Sequence, residues 1–584
     1  MSSPDGQPTG QLTETSPLLP KPRSHSNGSL PQPIDSSAGI APEGPDAGAT
    51  FSDDSEDGSG DGDDLERQTT NTSEGRQRQY EGQPEVKKRM KYILPAVAIG
   101  IFLSAADQTI IVSSYGKIGT DLNALNNTSW IATAYFLTLT SFQPLYGKLS
   151  DIFTRKSCLL FAYVVFGLGC LGCGLAQNMN QLVAARAFAG IGGGGMTTVV
   201  SILMSDTVPL RERGKWQGYV NIIYAAGAGA GAPLGGILAD SVGWRWAFMA
   251  QAPLCLIAFT AVYFILNVPK QDQAHWKEKL RRIDFLGAAI LICAVFALLL
   301  GLDRGSNVAW SDKVTITALC VSLPLFLLFV GVEMKVAAEP FAPGHIIFER
   351  SLFACYLCNF FSFSGWLAAL FFIPLYFQAV DGHTATQAGV RLIPGILAGV
   401  SGSLFGGFYM QKTGRYYWLT VGCYSTLVLG LGVILLFAGL VTNSTWGLCF
   451  GMMISGFSNG IGVTTSLIAL IANASHEDQA VATACSYLFR SLGSVAGVSL
   501  SATVANQALR AHLKSELSSG KDAAKIAERV RQSLEYIKTL EPEVRSIVRD
   551  CYARSTRAAF GLQIGLVAGA AVAAWFIREK KLSR

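Results

Sequence analysis

Three ionisable residues lie inside long apolar stretches. Asp107 follows Ile101-Phe-Leu-Ser-Ala-Ala106, Arg186 sits in Leu182-Val-Ala-Ala-Arg-Ala-Phe-Ala-Gly190, and Arg490 follows Ser486-Tyr-Leu-Phe489. In a membrane-crossing segment each costs at least ~2.5 kcal/mol on insertion scales, so each is a functional hypothesis. A deep carboxylate such as Asp107 can carry a proton between two compartments or face a cationic substrate; the alternative is a capped, solvated acid near the end of its segment. Arg186 can pair with polar groups of the first segment and be released when a carboxylate is protonated, or serve as a structural clamp. Arg490 leaves substrate contact, gating and helix packing open. Tyr135, Gln143, Asn221, Tyr224 and Asn359 are polar cavity candidates, and each is equally suited to a helix–helix hydrogen bond.

The elements that hold these residues follow from composition. Half of the 584 residues are hydrophobic and 15% are charged, with a mean hydropathy of +0.33. A soluble surface of this size needs more charge. The net charge of +5 comes from scattered loop residues and suggests no nucleic-acid partner. Apolar stretches of about 20 residues, each able to cross a hydrocarbon core of about 30 Å, recur about fourteen times. They fall near 92–114, 128–148, 157–177, 181–204, 216–239, 247–267, 283–302, 314–334, 352–379, 386–409, 416–440, 445–472, 480–505 and 558–577. The expected fold is therefore an all-α membrane protein. Many of the 61 glycines lie within these stretches, where they let backbones approach closely. The glycine run at 192–195 reads as such packing and not as a phosphate loop.

Residues 1–86 are rich in Pro, Ser, Gly, Asp and Glu, and read as a disordered tail in place of a leader peptide. Cysteines fall almost entirely in apolar segments, Cys551 excepted, which argues against a disulfide framework. Cys355 and Cys358 form a C-x-x-C on an apolar helix and read as packing. His275, His345 and His383 lie in loops without ligand spacing, so no metal is expected. No G-x-x-x-x-G-K-[ST] and no nucleophile–base constellation occurs; neither a cofactor nor an enzyme activity is expected.

Basic residues cluster in alternate loops: Lys87, Lys88, Arg89 and Lys91 before the first segment, Lys148, Arg155 and Lys156 after the second, and Arg211, Arg213 and Lys215 after the fourth. Lys277, Lys279, Arg281 and Arg282 follow the sixth, Lys412 and Arg415 the tenth, and Arg578, Lys580 and Lys581 the last. This bias places both termini in the cytosol. The sequons at Asn126, Asn127 and Asn443 then face the far side, as does a segment over 506–557 with the periodicity of an amphipathic helical hairpin. Gly147-Lys-Leu-Ser-Asp151-Ile-Phe-Thr154-Arg155-Lys156 after the second segment is echoed by Gly407-Phe-Tyr-Met-Gln411-Lys-Thr-Gly414-Arg415 after the tenth. Such a repeat fits two six-helix halves, 90–267 and 351–584, joined by a linker over 268–350 that carries two extra helices. Asp151 and Arg155, with Gly147 and Lys156, suit a conformational latch on the cytosolic side, and Gln411 in place of the acid makes it asymmetric.

The first of those loops resembles the cytoplasmic signature of the major facilitator superfamily, with Thr154 replacing the inner glycine. Leu182 to Gly192 is similar to its fourth-helix motif, and Ala106-Asp107-Gln108-Thr109-Ile110-Ile111 to the first-helix motif of its fourteen-span drug:proton antiporter branch. Gly227, Gly231, Pro233, Gly235 and Gly236 match the fifth-helix antiporter motif. Within that branch, Phe142 to Asp151 and Glu212 to Ile222 resemble fungal vacuolar basic amino acid transporters. The tail carries Glu14-Thr-Ser-Pro-Leu18-Leu19, which fits an acidic dileucine address read by a sorting adaptor. The resemblance implies a major facilitator fold in a vacuolar membrane and a role for Arg186 in proton coupling. Cationic amino acids and protons would be its small-molecule partners, with membrane lipid around it. Drug or toxin efflux at the plasma membrane and non-transporting nutrient sensing stand as alternatives.

Overall fold

The computed structural model describes residues 84–111, 114, 118–119, 121–122, 129–266, 284–307, 310–335, 344–383, 385–475, 477–516, 537 and 539–582. Glu14, Leu18, Leu19, Asn126, Asn127, His275 and the basic run over 277–282 lie outside them. Fourteen long helices carry the described chain: α1 (Pro84–Ile110), α2 (Ser129–Phe153), α3 (Arg155–Leu175), α4 (Met179–Thr207), α5 (Leu210–Ser241), α6 (Trp244–Ile265), α7 (Phe285–Asn307), α8 (Lys313–Lys335), α9 (Arg350–Ala379), α10 (Ile393–Thr413), α11 (Tyr417–Phe437), α12 (Thr445–Asn473), α13 (Gln479–Glu516) and α14 (Pro542–Ala574). All but α2 are long and apolar enough to span a membrane by length and composition. Thr138, Thr140, Ser141 and Gln143 interrupt the apolar run of α2, which packs on α4 in one half and α13 in the other.

Helices α1–α6 form the first half. Its core runs from Met90 and Ile101 through Tyr146, Phe166 and Met196 to Val262. Helices α9–α14 form the second half, around Tyr356, Phe377, Tyr424 and Ile468. Bare backbones set the helix spacing. A Cβ on Gly192 would lie 2.5 Å from the Phe166 nitrogen, and one on Gly194 would lie 2.8 Å from the Leu139 carbonyl oxygen. Between the halves, α7 and α8 pair as a hairpin. Helix α7 leans on the α2–α13 seam, where Trp310 Nε1 donates to Thr503 Oγ1 at 2.8 Å, while the α5–α10 seam has no such cover from it.

Two helices outrun their sequence boundaries. Helix α13 continues to Glu516 and α14 begins at Pro542, so their polar ends project beyond the apolar layer. Leu509, Leu513, Ile537, Val548 and Tyr552 make a small core there. Cys551, read from sequence as a loop residue, is buried in it on one face of α14.

Candidate functional site

Asp107 and Arg186, 79 residues apart, meet inside the first half. Arg186 Nη1 donates to Asp107 Oδ2 at 2.6 Å, with side-chain exposures of 1% and 0%. Every other contact holds the guanidinium in place. Its Nε donates to the Ile131 carbonyl at 3.2 Å, the Tyr135 ring lies 4.3 Å beneath it, and the Phe248 ring closes the far side at 5.6 Å. Gln251 of α6, which the sequence reading missed, donates from Nε2 to Asp107 Oδ1 at 3.2 Å. Gly193 of α4 lets the Tyr135 ring in. Removing one partner from such a buried pair costs about 3–5 kcal/mol, because it strands a charge. Each charge of the pair is therefore balanced by the other. The solvated, capped acid is ruled out by its complete burial.

Between the halves lies a second polar cluster. Tyr224 of α5 keeps 37% of its surface open and donates to Gln108 Oε1 at 3.0 Å. Arg490 of α13 is near enough to Tyr224 to act on it electrostatically, and packs between Phe363 at 4.2 Å and Tyr487 at 5.2 Å. Ser491 donates to Gln143 Oε1 at 3.0 Å, Asn221 Nδ2 donates to Ser403 Oγ at 2.8 Å, and the Ser201 and Tyr487 hydroxyls bond. These bonds cross from one half to the other. Asp107 thus lies outside this cluster, while its neighbour Gln108 belongs to it. Asn359 lies elsewhere again, locking α9 to α12 and α13 through Ser466 and Ser486 at 3.3 Å each.

The remaining cross-half bonds gather on the face that carries Asp151. Arg213 Nη1 donates to Gln479 Oε1 at 3.2 Å, and Arg211 donates to the Gln411 and Lys412 carbonyls at the end of α10. Arg155 pairs with Asp151 and, at 2.7 Å, with Asp206. Asp206 was missed in the sequence because it closes the fourth segment, far from the motif. Lys156 turns away and donates to the Tyr263 carbonyl at 2.6 Å. The repeat is reciprocal in space. Gly147 of α2 abuts Ala484 of α13, and Gly407 of α10 abuts Gly214 of α5. The repeat-related turns Thr154 and Gly414 both take positive φ, 101° and 68°; for a threonine this is strained. The halves are therefore closed on this latch face. On α5, Gly227, Gly231 and Gly235 bring the backbone against Phe102, Ala106 and Ile110 of α1, so the fifth-helix motif tightens the first half.

On the opposite face, Tyr376 donates to Asn443 Oδ1 at 3.1 Å, and Ser444 caps α12. Nearby, burial pushes the Asp381 carboxyl above the usual aspartate range, against the pull of His383, Asn443, Arg391 and Arg549. Such a carboxyl binds its proton more tightly folded than unfolded. Acid therefore favours the folded packing, and the gain is lost as pH rises through the folded pKa. Asp381→Asn is expected to raise the melting temperature at neutral pH and to do so less in acid, as thermal unfolding of the purified protein at both pH values will show.

Two helical halves bonded to each other across a polar interface, with an ion pair buried in one of them, have the plan of a membrane transporter. The chain belongs to the Major Facilitator Superfamily, whose family model matches residues 97–498, and within it to the drug:proton antiporter branch. It is 40% identical over 491 residues to "Vacuolar membrane amino acid uptake transporter fnx2" of Schizosaccharomyces pombe, covering 84% of each chain. To "Multidrug resistance protein fnx1" of the same yeast it is 39% identical, covering 80% of this chain and 89% of the relative. To "Vacuolar basic amino acid transporter 2" of Saccharomyces cerevisiae it is 35% identical, covering 74% and 94%. The fold also matches the proton:xylose symporter XylE, with a TM-score of 0.56 at 14% identity over 85% of this chain and 98% of that one.

Proposed function

We propose that the protein moves basic amino acids from the cytosol into a vacuole in exchange for protons. The observation that carries the coupling is the sealed Asp107–Arg186 pair, a carboxylate whose protonation state sets the balance of a buried charge. The relatives named as vacuolar amino acid transporters support the cargo and the compartment. The Glu14–Leu18–Leu19 address supports delivery there by a sorting adaptor. The loop bias in lysine and arginine makes the latch face cytosolic. The conformation described is then closed toward the cytosol, and Asn443 lies on the lumenal side, where glycans are added.

In this reading a lumenal proton reaches Asp107 and frees Arg186, and the halves rock about the Tyr224–Arg490 cleft where cargo binds. Parting of the Arg211 and Arg213 bonds to the second half opens the cytosolic face, where the proton leaves and a cationic amino acid enters. Uptake of labelled lysine, arginine and histidine into vacuolar vesicles tests the proposal. A gain that depends on this protein and is abolished by a protonophore is expected; its absence overturns the reading. Multidrug export remains the second reading, favoured by the 39% identity to a multidrug resistance protein. Drug-gradient formation without amino acid uptake would select it.

A further inference from the structure

The cleft between the halves holds a charge of the wrong sign for a simple cation site. Arg490 is only partly exposed, and its Nε is buried without a hydrogen-bond partner. Among the described residues no carboxylate pairs with it. The acid nearest in sequence to its neighbour Gln108, Asp107, is already taken by Arg186. The rings of Phe363 and Tyr487 lie against the guanidinium at 4.2 and 5.2 Å, but rings supply no acceptor for its N–H groups. A partly buried guanidinium with an unpartnered Nε is matched by a planar, two-oxygen anion.

Resting on the amino acid reading above, we propose that Arg490 binds the α-carboxylate of the cargo, so that the transported class is the intact amino acid and not the organic cation it contains. Two amide oxygens of the same polar cluster suit the other end. Gln108 Oε1 and Gln143 Oε1 each already accept a hydrogen bond, from Tyr224 and Ser491, and each has a lone pair left for a substrate N–H. Arginine and lysine thus bind as carboxylates with a tolerated cationic tail. Their decarboxylated forms keep both positive charges and have no carboxylate to offset them beside Arg490.

The test compares arginine with agmatine and with arginine methyl ester as competitors of labelled arginine uptake in vesicles carrying the full-length protein. Neither competitor is expected to reduce uptake at concentrations where unlabelled arginine abolishes it. Arg490→Gln should raise the half-saturation for arginine about tenfold or more, the usual cost of a lost charge-assisted bond. Arg490→Lys should recover part of that loss, and both variants should keep the wild-type elution profile in detergent. Agmatine competing as well as arginine against the wild-type protein would overturn the anchor while leaving the amino acid reading intact, independently of how any variant folds. No arginine flux in the wild type would overturn both.

Discussion

Asp107→Asn is expected to abolish proton-driven uptake. The amide matches the carboxylate in shape and can still accept from Gln251, but it neither binds a proton nor balances Arg186. The single change leaves an unpaired charge in a site with no exposure, and the melting temperature should fall with it, at a cost of about 3–5 kcal/mol. A second change separates stability from coupling. In Asp107→Asn with Arg186→Gln, both groups are neutral and can bond to one another, so stability should return toward that of the wild type while protonophore-sensitive uptake stays absent. Exchange of labelled for unlabelled substrate without a pH gradient is the readout that can survive. Normal gradient-driven uptake by the double variant would remove Asp107 from the coupling mechanism.

The second large effect is expected at Gly407. A Cβ there would lie 2.5 Å from the Gly214 carbonyl oxygen and 2.7 Å from the Lys215 nitrogen, both backbone atoms of the other half. Gly407→Val therefore acts against the conformation in which α5 and α10 touch. Overpacking costs about 1–3 kcal/mol, which lowers the population closed at the latch face about five- to 150-fold. Uptake should fall accordingly while expression is kept. Thiol labelling of Ser403→Cys from the latch face should rise, measured after replacing the exposed Cys293 and Cys320. Gly147→Val, which meets Ala484 across the other seam, should act alike. Gly422→Ala, where a side chain would meet nothing within 4 Å, is the neutral control. Unchanged labelling and uptake in Gly407→Val would show that the halves do not separate along α5 and α10.

The helices and the two-half plan were legible because membrane spans announce themselves by length and hydropathy. The repeat of Gly147 to Arg155 by Gly407 to Arg415 carried the symmetry. Asp107 and Arg186 were each visible as charges in apolar surroundings, yet nothing in their separation of 79 residues showed that they touch. Gln251 carried the same signal as Gln143, a lone amide in an apolar run, and went unread because it stands near the start of its segment. Asp206 and Arg211 are loop-proximal charges of an ordinary kind; only packing distinguishes them from solvated neighbours. Helix ends were the weakest boundaries. The polar extensions of α13 and α14 lack the apolar periodicity that marks a span, and their fit to each other through Leu509, Leu513 and Tyr552 is tertiary information.

The ion pair belongs wholly to one half and Arg490 to the other, and this division bears on how such proteins diversify. On the proposed reading, a machine whose motor and whose carboxylate anchor sit on separate castings can be refitted at that anchor without retuning the motor. In the roles proposed above, changes around Phe363, Tyr487 and Arg490 alter the carboxylate anchor and leave the Asp107–Arg186 pair untouched. A lineage built this way can spread across cargoes as different as nutrients and poisons by editing a few side chains on α9 and α13. Relatives named for both kinds of cargo stand at nearly equal distance from this chain, 40% and 39% identical.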